Sequence, residues 1–469
     1  MNLQLFWQSQ KKHPSYSGHP MHAHSEGLHS ATHGVPLSMH ADGTNVISVG
    51  KKIAKHMDAI SWSGLLDKQT DAATVNFIAV FVFVLNQISD VGFHTMDAVW
   101  SCLCWSFQCL YLGKHPCHDW RGREFDESDG HFHTNRGQSL AGGFFGTIWS
   151  GRFDLDFCTK GLKMPSHNAS KCSKCPVGRH GDMLFTDVGS TASWIAARYS
   201  NLQYALKFPN RHLIYKALPG FGVNNYIPDI LHTKHLGVDC YFLASVITYI
   251  IRYMMPHDEA TNLKDFAREM THQYAAMKGN HRVQYLSKTI LKKADASVPC
   301  LTGVRGVQIR SLIPIVGEIL RLRHDPLNAQ HRDMLKGLEF SEQFDRILLQ
   351  NANAYALSTE DSKALIYAAF EYTKRNVALI RHFRSQDVKL FNLTIKTHYF
   401  LELALVSEFT NPLYGSCYQG EQMMQVVRKL MVSTANGCPM EKAGNFALRK
   451  YIRGLTMTLD PKNGFGYSL

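Results

Sequence analysis

The chain has 469 residues, a length that predicts two or three compact units at roughly 100 to 200 residues per domain. Hydrophobic residues make up 45% of it and charged residues 19%, which excludes intrinsic disorder for the bulk of the chain. The 50 Lys and Arg against 38 Asp and Glu leave a net charge of +12, which fits a polyanionic partner without identifying one. Eleven cysteines, an odd number without a regular framework, predict a reducing compartment.

The first third of the chain is expected to be rich in strands. Residues 1–34 are polar and contain six histidines, and their composition predicts a flexible lead-in. Apolar and polar residues then alternate around an Asp-Gly pair at 42–43, which predicts a strand, a turn and a second strand. Further strands are expected at 59–67, 76–85 and 143–157, although 76–85 would also suit a buried helix.

Helices are predicted at 95–112 and through most of the chain after 238, where apolar residues recur every three or four positions. An α/β part is therefore followed or interrupted by an all-helical part. The two most apolar stretches, 72–88 and 241–255, are short of the roughly 20 residues that a membrane span needs. We interpret both as buried core elements and expect no membrane insertion.

Acidic residues beside predicted strand ends are candidates for a cation site. Asp42 lies next to a Gly turn, and Asp154 and Asp156 lie where a strand passes into a helix. Each has an ordinary alternative role, Asp42 as a turn residue and the other two as helix N-caps. Carboxylates at the ends of neighbouring strands also bind hard cations such as Mg²⁺, and two ions about 4 Å apart activate water or a hydroxyl against a phosphodiester.

Cys172 and Cys175 form a single CxxC pair, which is half of a tetrahedral zinc site. Two further ligands could come from His167, His180 or Cys158, and such a site would be structural rather than catalytic. The alternative is that both cysteines are packed thiols that fall at this spacing by chance.

Asp229 and His232 form a D-x-x-H pattern that opens directly onto the helical part. Residues three apart on an α-helix share a face, so the two side chains can hydrogen-bond or approach one site. A capping Asp with a half-buried His is the alternative interpretation.

The order of these segments resembles that of the DDE transposases of the CACTA (En/Spm-like) and Kyakuja-Dileera-Zisupton type, which are relatives of the hAT enzymes. HADG, FDLD, the CxxC segment, D-x-x-H, a helical run and EQMMQVVRKL follow one another across most of residues 35–435. The resemblance implies an α/β fold, with a ribonuclease H-like mixed sheet core interrupted by a large all-α insertion. It divides the chain into a lead-in (1–34), the first part of the core with the CxxC segment (35–237), the α-helical insertion (238–400) and the return to the core with a C-terminal tail (401–469).

For the site, the resemblance implies that Asp42, Asp154 and Glu421 form a catalytic triad that binds two Mg²⁺ or Mn²⁺ ions. Glu421 is favoured for the third position because it stands at the head of a predicted helix. The open alternatives are Asp156 for the second acid and Glu402 or Glu408 for the third.

The resemblance also implies a supporting role for Asp229 and His232 in positioning DNA or the active site. The implied activity is metal-dependent DNA cleavage and strand transfer by a nuclear, homo-oligomeric enzyme that carries a structural zinc ion. A catalytically inactive, transposon-derived DNA-binding or interaction protein is the alternative. Basic residues that could contact phosphates are Arg305, Arg310, Lys374, Arg375, Arg381, Arg384, Arg428 and Lys429.

Overall fold

A computed structural model describes residues 3–44, 57–66, 79–85, 94–165, 167–278, 280–291, 298–435 and 440–459. The chain divides into two compact units, within the number predicted from its length. Unit 1 comprises Met1–Met164, Ser200–Ile227 and Tyr414–Leu469, and unit 2 comprises Pro165–Tyr199 and Pro228–Leu413.

Unit 1 contains a mixed sheet of four strands, β1 (Gly34–Thr44), β2 (Met57–Gly64), β3 (Ala79–Leu85) and β4 (Phe145–Phe153). The order across the sheet is β3-β2-β1-β4. The β1–β2 and β2–β3 pairs are antiparallel, whereas β1 and β4 are parallel. The described part of 76–85 is therefore a strand, which resolves the choice between a strand and a buried helix.

Helices make up most of the remaining described residues. In chain order they are α1 (Leu3–Ser9), α2 (Ser30–His33), α3 (His94–Leu112), α4 (His131–Thr134), α5 (Leu155–Lys160), α6 (Ser193–Ala196), α7 (Asn201–Lys207), α8 (Ile214–Ala217), α9 (Leu231–Met254), α10 (Glu259–Ala276), α11 (Gly306–Arg321), α12 (Ala329–Gln350), α13 (Thr359–Ser385), α14 (Ile395–Val406), α15 (Tyr418–Ala435) and α16 (Met440–Leu459). The expected helix at 95–112 corresponds to α3, and the helical character expected after 238 corresponds to α9 through α16.

The Asp-Gly pair at 42–43 does not form the expected turn. Asp42 pairs with Ala59 and Gly43 pairs with Asp58, so β1 continues through both residues to Thr44. The ladder with β2 overrides the local turn preference of Asp-Gly, because cross-strand pairing and packing decide strand formation more strongly than intrinsic propensity.

The N-terminal segment 3–33 is folded, in contrast to the flexible lead-in expected from its composition. Phe6 and Trp7 of α1 are almost completely buried. The Trp7 indole N–H donates to the carbonyl oxygen of Gly34 at 2.8 Å, and its ring packs edge-on against Trp149 of β4. Two aromatic side chains anchor this polar segment because each buries a large apolar area.

Helices of unit 1 pack against the sheet and bring the C-terminal segment to it. Helix α3 contacts β4, α15 contacts β1, and α16 contacts β3. Met423 and Val427 of α15 belong to one buried cluster with Met57 and Ala59 of β2. The apolar face of α15 therefore packs this helix against β2, the strand that pairs with the part of β1 that carries the first candidate acid.

Helix α9 lies in the core of unit 2. It is long and apolar enough to cross a membrane, and 72% of its most apolar 18-residue window is buried inside the protein. A buried core helix passes the same test of length and composition, so α9 is weak evidence for a span. Within the other apolar stretch, 72–88, the described residues 79–85 form the sheet strand β3.

The boundaries of the two units differ from those expected for a core and an insertion. Unit 2 begins its helical part at Pro228 and ends at Leu413, rather than at 238 and 400. The CxxC segment, Pro165–Tyr199, also groups with these helices instead of with the sheet.

Candidate functional site

Asp42 and Asp154 occupy equivalent positions on two adjacent parallel strands. The β1–β4 ladder ends with Ala41 opposite Phe153, so each aspartate is the next residue after the last pair. Neighbouring strands lie about 4.8 Å apart, and parallel strands end at the same edge of a sheet. The sheet therefore brings to one edge two acids that are far apart in the sequence.

The side chain of Asp154 caps helix α5. Its Oδ1 accepts a hydrogen bond from the backbone N–H of Phe157 at 2.5 Å. Asp156 lies in the first turn of α5, with its side chain 55% exposed, and forms an ion pair with Lys160 at 3.3 Å. The N-cap role expected as the alternative is thus real for Asp154, whereas Asp156 points into solvent on the helix surface.

Glu421 lies in the first turn of α15 and is half-buried. A Cβ atom on the preceding residue, Gly420, would lie 2.1 Å from Nε2 of His40, so any other residue here would require the His40 ring to shift. His40 precedes Asp42 by two residues and therefore lies on the same face of β1. The contact brings the N-terminal turn of α15 to the strand that carries the first acid.

A buried arginine on β4 connects this strand to the start of α15. Arg152 is 4% exposed, and its Nε donates to the carbonyl oxygen of Tyr414 at 2.9 Å while Nη1 donates to Oε1 of Gln419 at 3.1 Å. Ser150 Oγ donates to the same Tyr414 carbonyl at 2.9 Å. Burial lowers the pKa of Arg152 to about 10, which leaves the guanidinium charged at neutral pH.

The three predicted catalytic acids all belong to unit 1. They are not among the groups of described residues whose ligand atoms all lie within 4.8 Å of one another. Two ions about 4 Å apart require a wider carboxylate spacing than one ion does, because the outer acids bind different ions. The rival third acids are in unit 2, where Glu408 pairs with Arg198 at 3.5 Å and Glu402 is fully buried on α14.

Asp229 and His232 make the contact that their spacing predicts. Oδ2 of Asp229 lies 2.6 Å from Nδ1 of His232 and accepts the backbone N–H of the same residue at 2.9 Å. Oδ1 accepts the N–H of Leu231 at 3.1 Å. Asp229 is 1% exposed and thus caps the start of α9, with a partly exposed His232 fixed to it.

Unit 2 contains a buried group of residues that could hold a metal ion, formed by Cys172, Cys175, His398 and Glu402. Nε2 of His398 lies 3.2 Å from Sγ of Cys175 and 3.7 Å from Oε1 of Glu402. Both carboxylate oxygens of Glu402 are buried without a hydrogen-bond partner, and so is Nδ1 of His398.

This group contains the predicted CxxC pair but different partners from the predicted ones. His167 lies in a short 3₁₀ turn and His180 is exposed, and both are outside the group. Sequence reasoning missed His398 and considered Glu402 only as an alternative catalytic acid, although α14 carried a signal. The two residues are ionisable and four apart on a mostly apolar helix, and this spacing places them on one face.

The electrostatics of the group favour charge on one thiol. Burial opposes a thiolate at Cys172, but hydrogen bonding from Cys175 and the nearby His398 outweighs burial and holds the pKa of Cys172 well below its usual range. Burial raises the pKa of Cys175, and the Cys172 thiolate raises it further. Burial and the same thiolate also raise the pKa of Glu402.

A second buried group, His235, Asp239 and Asp345, also could hold a metal ion but already contains a cation. The ammonium of Lys234 donates to Oδ2 of Asp239 at 2.9 Å and to Oδ2 of Asp345 at 2.8 Å. It also donates to Oγ of Ser341 at 2.9 Å, and Lys234 is completely buried. This group is therefore a buried ion-pair network of the unit 2 core.

The basic residues expected to contact phosphates lie in both units, with Arg428 and Lys429 in unit 1 and Arg305, Arg310, Lys374, Arg375, Arg381 and Arg384 in unit 2. Arg375 pairs with Asp333 and Glu371, and Lys374 also pairs with Glu371, so these charges are partly neutralised within unit 2. Arg428 is exposed on α15 of unit 1, the helix that begins beside Glu421. Its neighbour Lys429 is exposed as well.

The chain matches no protein-family model and no curated protein sequence.

Proposed function

We propose that the protein is a metal-dependent DNA strand transferase of the DDE type, with Asp42, Asp154 and Glu421 as the metal-binding acids. The observation that carries this proposal is the β1–β4 register, which ends with Ala41 opposite Phe153 and so aligns the two aspartates at one sheet edge. Glu421 joins them through the close approach of Gly420 to His40. Asp154 also caps α5, but capping alone does not account for the register of the two aspartates or for the approach of the first turn of α15 to β1.

The strand order supports a ribonuclease H-like core as the scaffold. Such a core has an antiparallel meander followed by parallel strands, and the order β3-β2-β1-β4 with parallel β1 and β4 fits this pattern. Tyr226 adds a single parallel bridge to Gly151 of β4, at the position that a fifth strand would occupy. The helical segments between Pro228 and Leu413 then interrupt the unit that carries the acids.

Carboxylate oxygens suit Mg²⁺ or Mn²⁺, which supply Lewis acidity and lower the pKa of a bound water or hydroxyl. The protein's own residues position these oxygens. The N–H of Phe157 fixes the rotamer of Asp154, and Arg152 fixes the segment between Tyr414 and Gln419 that leads into Glu421. Cleavage of a phosphodiester and in-line attack by the freed 3′-hydroxyl are the reactions that such an acid set supports.

The cofactor proposal has a second part, which concerns the thiols. Zinc is the metal suited to the CxxC pair, because thiolates and imidazole select zinc over the hard cations that carboxylates bind. This ion would be structural and distinct from the metal at the acids.

DNA is the proposed partner, and exposed cations on unit 1 support this choice. Arg428 and Lys429 lie on α15, and α16 adds exposed Arg449, Lys450 and Arg453. Phosphate contacts from such side chains are independent of DNA sequence and weaken steeply with salt. Nuclear localisation and a homo-oligomeric state remain part of the proposal through the family resemblance alone.

The test is a nicking and strand-transfer assay on supercoiled plasmid with the full chain, in Mg²⁺ or Mn²⁺ and with EDTA as the blank. Asp42→Asn and Glu421→Gln should lower the rate by about 10²-fold or more, since a bound metal contributes several kcal/mol of transition-state stabilisation. Mn²⁺ binding, measured by electron paramagnetic resonance, should weaken in the same variants.

Asp156→Asn is the matched control, because Asp156 is a solvent-exposed aspartate on the same strand-to-helix segment. It should retain wild-type activity and Mn²⁺ binding. Nicking that survives Asp42→Asn would refute the triad. A wild-type chain that binds DNA without metal-dependent nicking would instead identify the inactive, transposon-derived DNA-binding protein.

A further inference from the structure

The geometry points to a closed zinc site in unit 2 whose ligands are Cys172 Sγ, Cys175 Sγ, His398 Nε2 and a carboxylate oxygen of Glu402. This ligand set does not depend on the catalytic acids and would exist in an enzyme or in an inactive protein. It joins the CxxC segment to helix α14, across a sequence separation of 223 residues between Cys175 and His398.

The distances fit one tetrahedral ion. Zinc lies about 2.3 Å from sulfur and about 2.0–2.1 Å from nitrogen or oxygen, which sets sulfur–nitrogen edges near 3.5 Å and nitrogen–oxygen edges near 3.4 Å. The observed edges are 3.2 Å from Cys175 Sγ to His398 Nε2 and 3.7 Å from His398 Nε2 to Glu402 Oε1. All four ligand atoms lie within 4.8 Å of one another, so a single ion can contact them with small shifts.

The backbone around the thiols has the form of a metal-binding knuckle. The N–H of Lys174 donates to Cys172 Sγ at 3.2 Å, and the N–H of Val177 donates to Cys175 Sγ. Each sulfur thus accepts from the residue two positions later, and the loop is closed by the Cys172 N–H to the Val177 carbonyl at 3.1 Å. These N–H donors stabilise thiolate charge, which is the form that binds metal.

Helix α14 holds the other two ligands rigidly. His398 and Glu402 are four residues apart and completely buried. Tyr399 lies between them in sequence, and its hydroxyl accepts the N–H of Ser173 at 2.9 Å, which fastens the helix to the CxxC loop. The ring of Trp194 packs edge-on against the His398 ring at 4.4 Å.

The burial of Glu402 without a hydrogen-bond partner favours a cation beside it. Leaving a carboxylate unpaired in the protein interior costs several kcal/mol or more, so a buried acid is normally paired or coordinates a metal. Both oxygens of Glu402 lack a hydrogen-bond partner. A zinc ion with two thiolates and one carboxylate carries one excess negative charge, and the positive charges of Lys174 and Arg198, which both act on Glu402, can offset it.

The site has no open coordination position. Four protein ligands fill a tetrahedral zinc ion, and structural sites are closed in this way, whereas catalytic ones keep one position for water or substrate. Its role is to cross-link two distant segments of unit 2. A metal that closes so long a loop stabilises the fold by removing conformational freedom from the unfolded chain.

The test begins with the metal content of the wild-type full chain, purified without added zinc and analysed by mass spectrometry. We expect one zinc per chain and a zinc X-ray absorption spectrum with two sulfur neighbours and two nitrogen or oxygen neighbours. Both measurements use the unaltered protein, so they do not depend on how well a variant folds.

Variants then assign the ligands. Cys172→Ser, His398→Ala and Glu402→Gln should each reduce the bound zinc severalfold or abolish it. His167→Ala and His180→Ala are the matched controls, since these histidines flank the CxxC pair in sequence but lie outside the group, and both should retain one zinc per chain. Cobalt-substituted wild-type protein should show a sulfur-to-metal charge-transfer band that is lost in Cys172→Ser.

Three results would overturn the site. The first is less than a tenth of a zinc per chain in wild type, together with a Cys172–Cys175 disulfide by mass spectrometry. The second is zinc loss in His167→Ala or His180→Ala. The third is full zinc retention in both His398→Ala and Glu402→Gln. None of these results depends on DNA cleavage, so failure of the zinc site and failure of the transferase proposal can be told apart.

Discussion

The buried guanidinium of Arg152 donates a hydrogen bond to the main-chain carbonyl of Tyr414, at 2.9 Å from Nε. The two residues are 262 positions apart, and the bond joins β4 to the segment that leads into α15. Asp154 follows Arg152 by two residues, and Glu421 follows Tyr414 by seven. One side chain therefore ties together the segments that carry two of the three proposed acids.

Arg152→Lys should therefore disturb both stability and the acid site. A lysine ammonium cannot reproduce the fork that reaches Tyr414 and Gln419 together, and loss of charge-assisted hydrogen bonds costs about 2–3 kcal/mol. Ser150→Ala is the control, because Ser150 donates a neutral hydrogen bond to the same carbonyl, worth about 1 kcal/mol. Urea denaturation measures both, and equal destabilisation by the two variants would contradict a special role for the guanidinium.

Asp154→Asn should separate helix capping from metal binding. Asparagine caps helices about as well as aspartate, so stability should change by less than about 1 kcal/mol. Removing the carboxylate charge should nevertheless lower nicking by about 10²-fold or more. Parallel thermal denaturation and nicking assays check this, with Asp156→Asn as the exposed neighbour that should leave both unchanged. Nicking and Mn²⁺ binding that are unchanged in Asp154→Asn would assign Asp154 to capping alone.

Lys234→Met should destabilise unit 2 strongly. Lys234 is the buried cation between Asp239 and Asp345, and these carboxylates hold the pKa of Lys234 above its usual value despite burial, which acts to lower it. Removing one partner of a buried ion pair costs about 3–5 kcal/mol, because uncompensated charge is left behind. The control is Lys336→Met, which breaks an exposed pair with Glu339 and should change the free energy of unfolding by less than about 1 kcal/mol.

Lys234→Met should be measured by urea denaturation beside its control. Similar stability of the two variants would show that the buried Lys234 network contributes no more to the free energy of unfolding than an exposed ion pair does.

Unit 1 should lose stability in mild acid because of two buried histidines. Burial is the main cause that lowers the pKa of both His19 and His212 from 6.5 to about 4. Nearby His22 lowers the pKa of His19 further, and Lys163 does the same for His212, where Asp97 acts in the opposite direction. Between pH 6.5 and 4 the unfolded chain binds more protons than the folded one, so the free energy of unfolding falls as pH drops. Each histidine should contribute a loss of about 2 kcal/mol by pH 5.

The measurement is urea denaturation at pH 7.5 and pH 5. In His212→Gln the difference between the two pH values should shrink by about 2 kcal/mol, because one of the titrating groups is gone. His131→Gln, which replaces an exposed histidine of unit 1, should leave the difference unchanged. An unchanged pH dependence in His212→Gln would show that folding does not lower the pKa of this histidine.

Local sequence patterns predicted several helices and strands of this fold. The apolar run at 95–112 corresponds to α3, and the strand expected at 143–157 corresponds to β4, which ends at Phe153 before α5 begins. The contact between Asp229 and His232 is the capping arrangement that the sequence offered as the alternative, because Asp229 lies just before α9. Such features depend on neighbours in the sequence and need no knowledge of the remaining chain.

Local patterns failed where distant residues compete with them. The Asp-Gly pair at 42–43 favours a turn, but pairing with Ala59 and Asp58 keeps it in β1. The polar segment 3–33 suggests flexibility, but Phe6 and Trp7 find an apolar site in unit 1. In each case the stabilising free energy comes from contacts with residues that are distant in the sequence, which a local sequence pattern does not include.

The sequence by itself determined that this chain is a mixed α/β protein with acids beside predicted strand ends, a CxxC pair and a D-x-x-H pattern at the start of its helical part. Only the tertiary structure decided that Asp42 and Asp154 share one sheet edge, and that Cys175 meets His398 rather than His167 or His180. The physical reason is that strand register and helix packing depend on burial summed over the whole chain. The local spacing of apolar residues does not specify which distant residues come into contact.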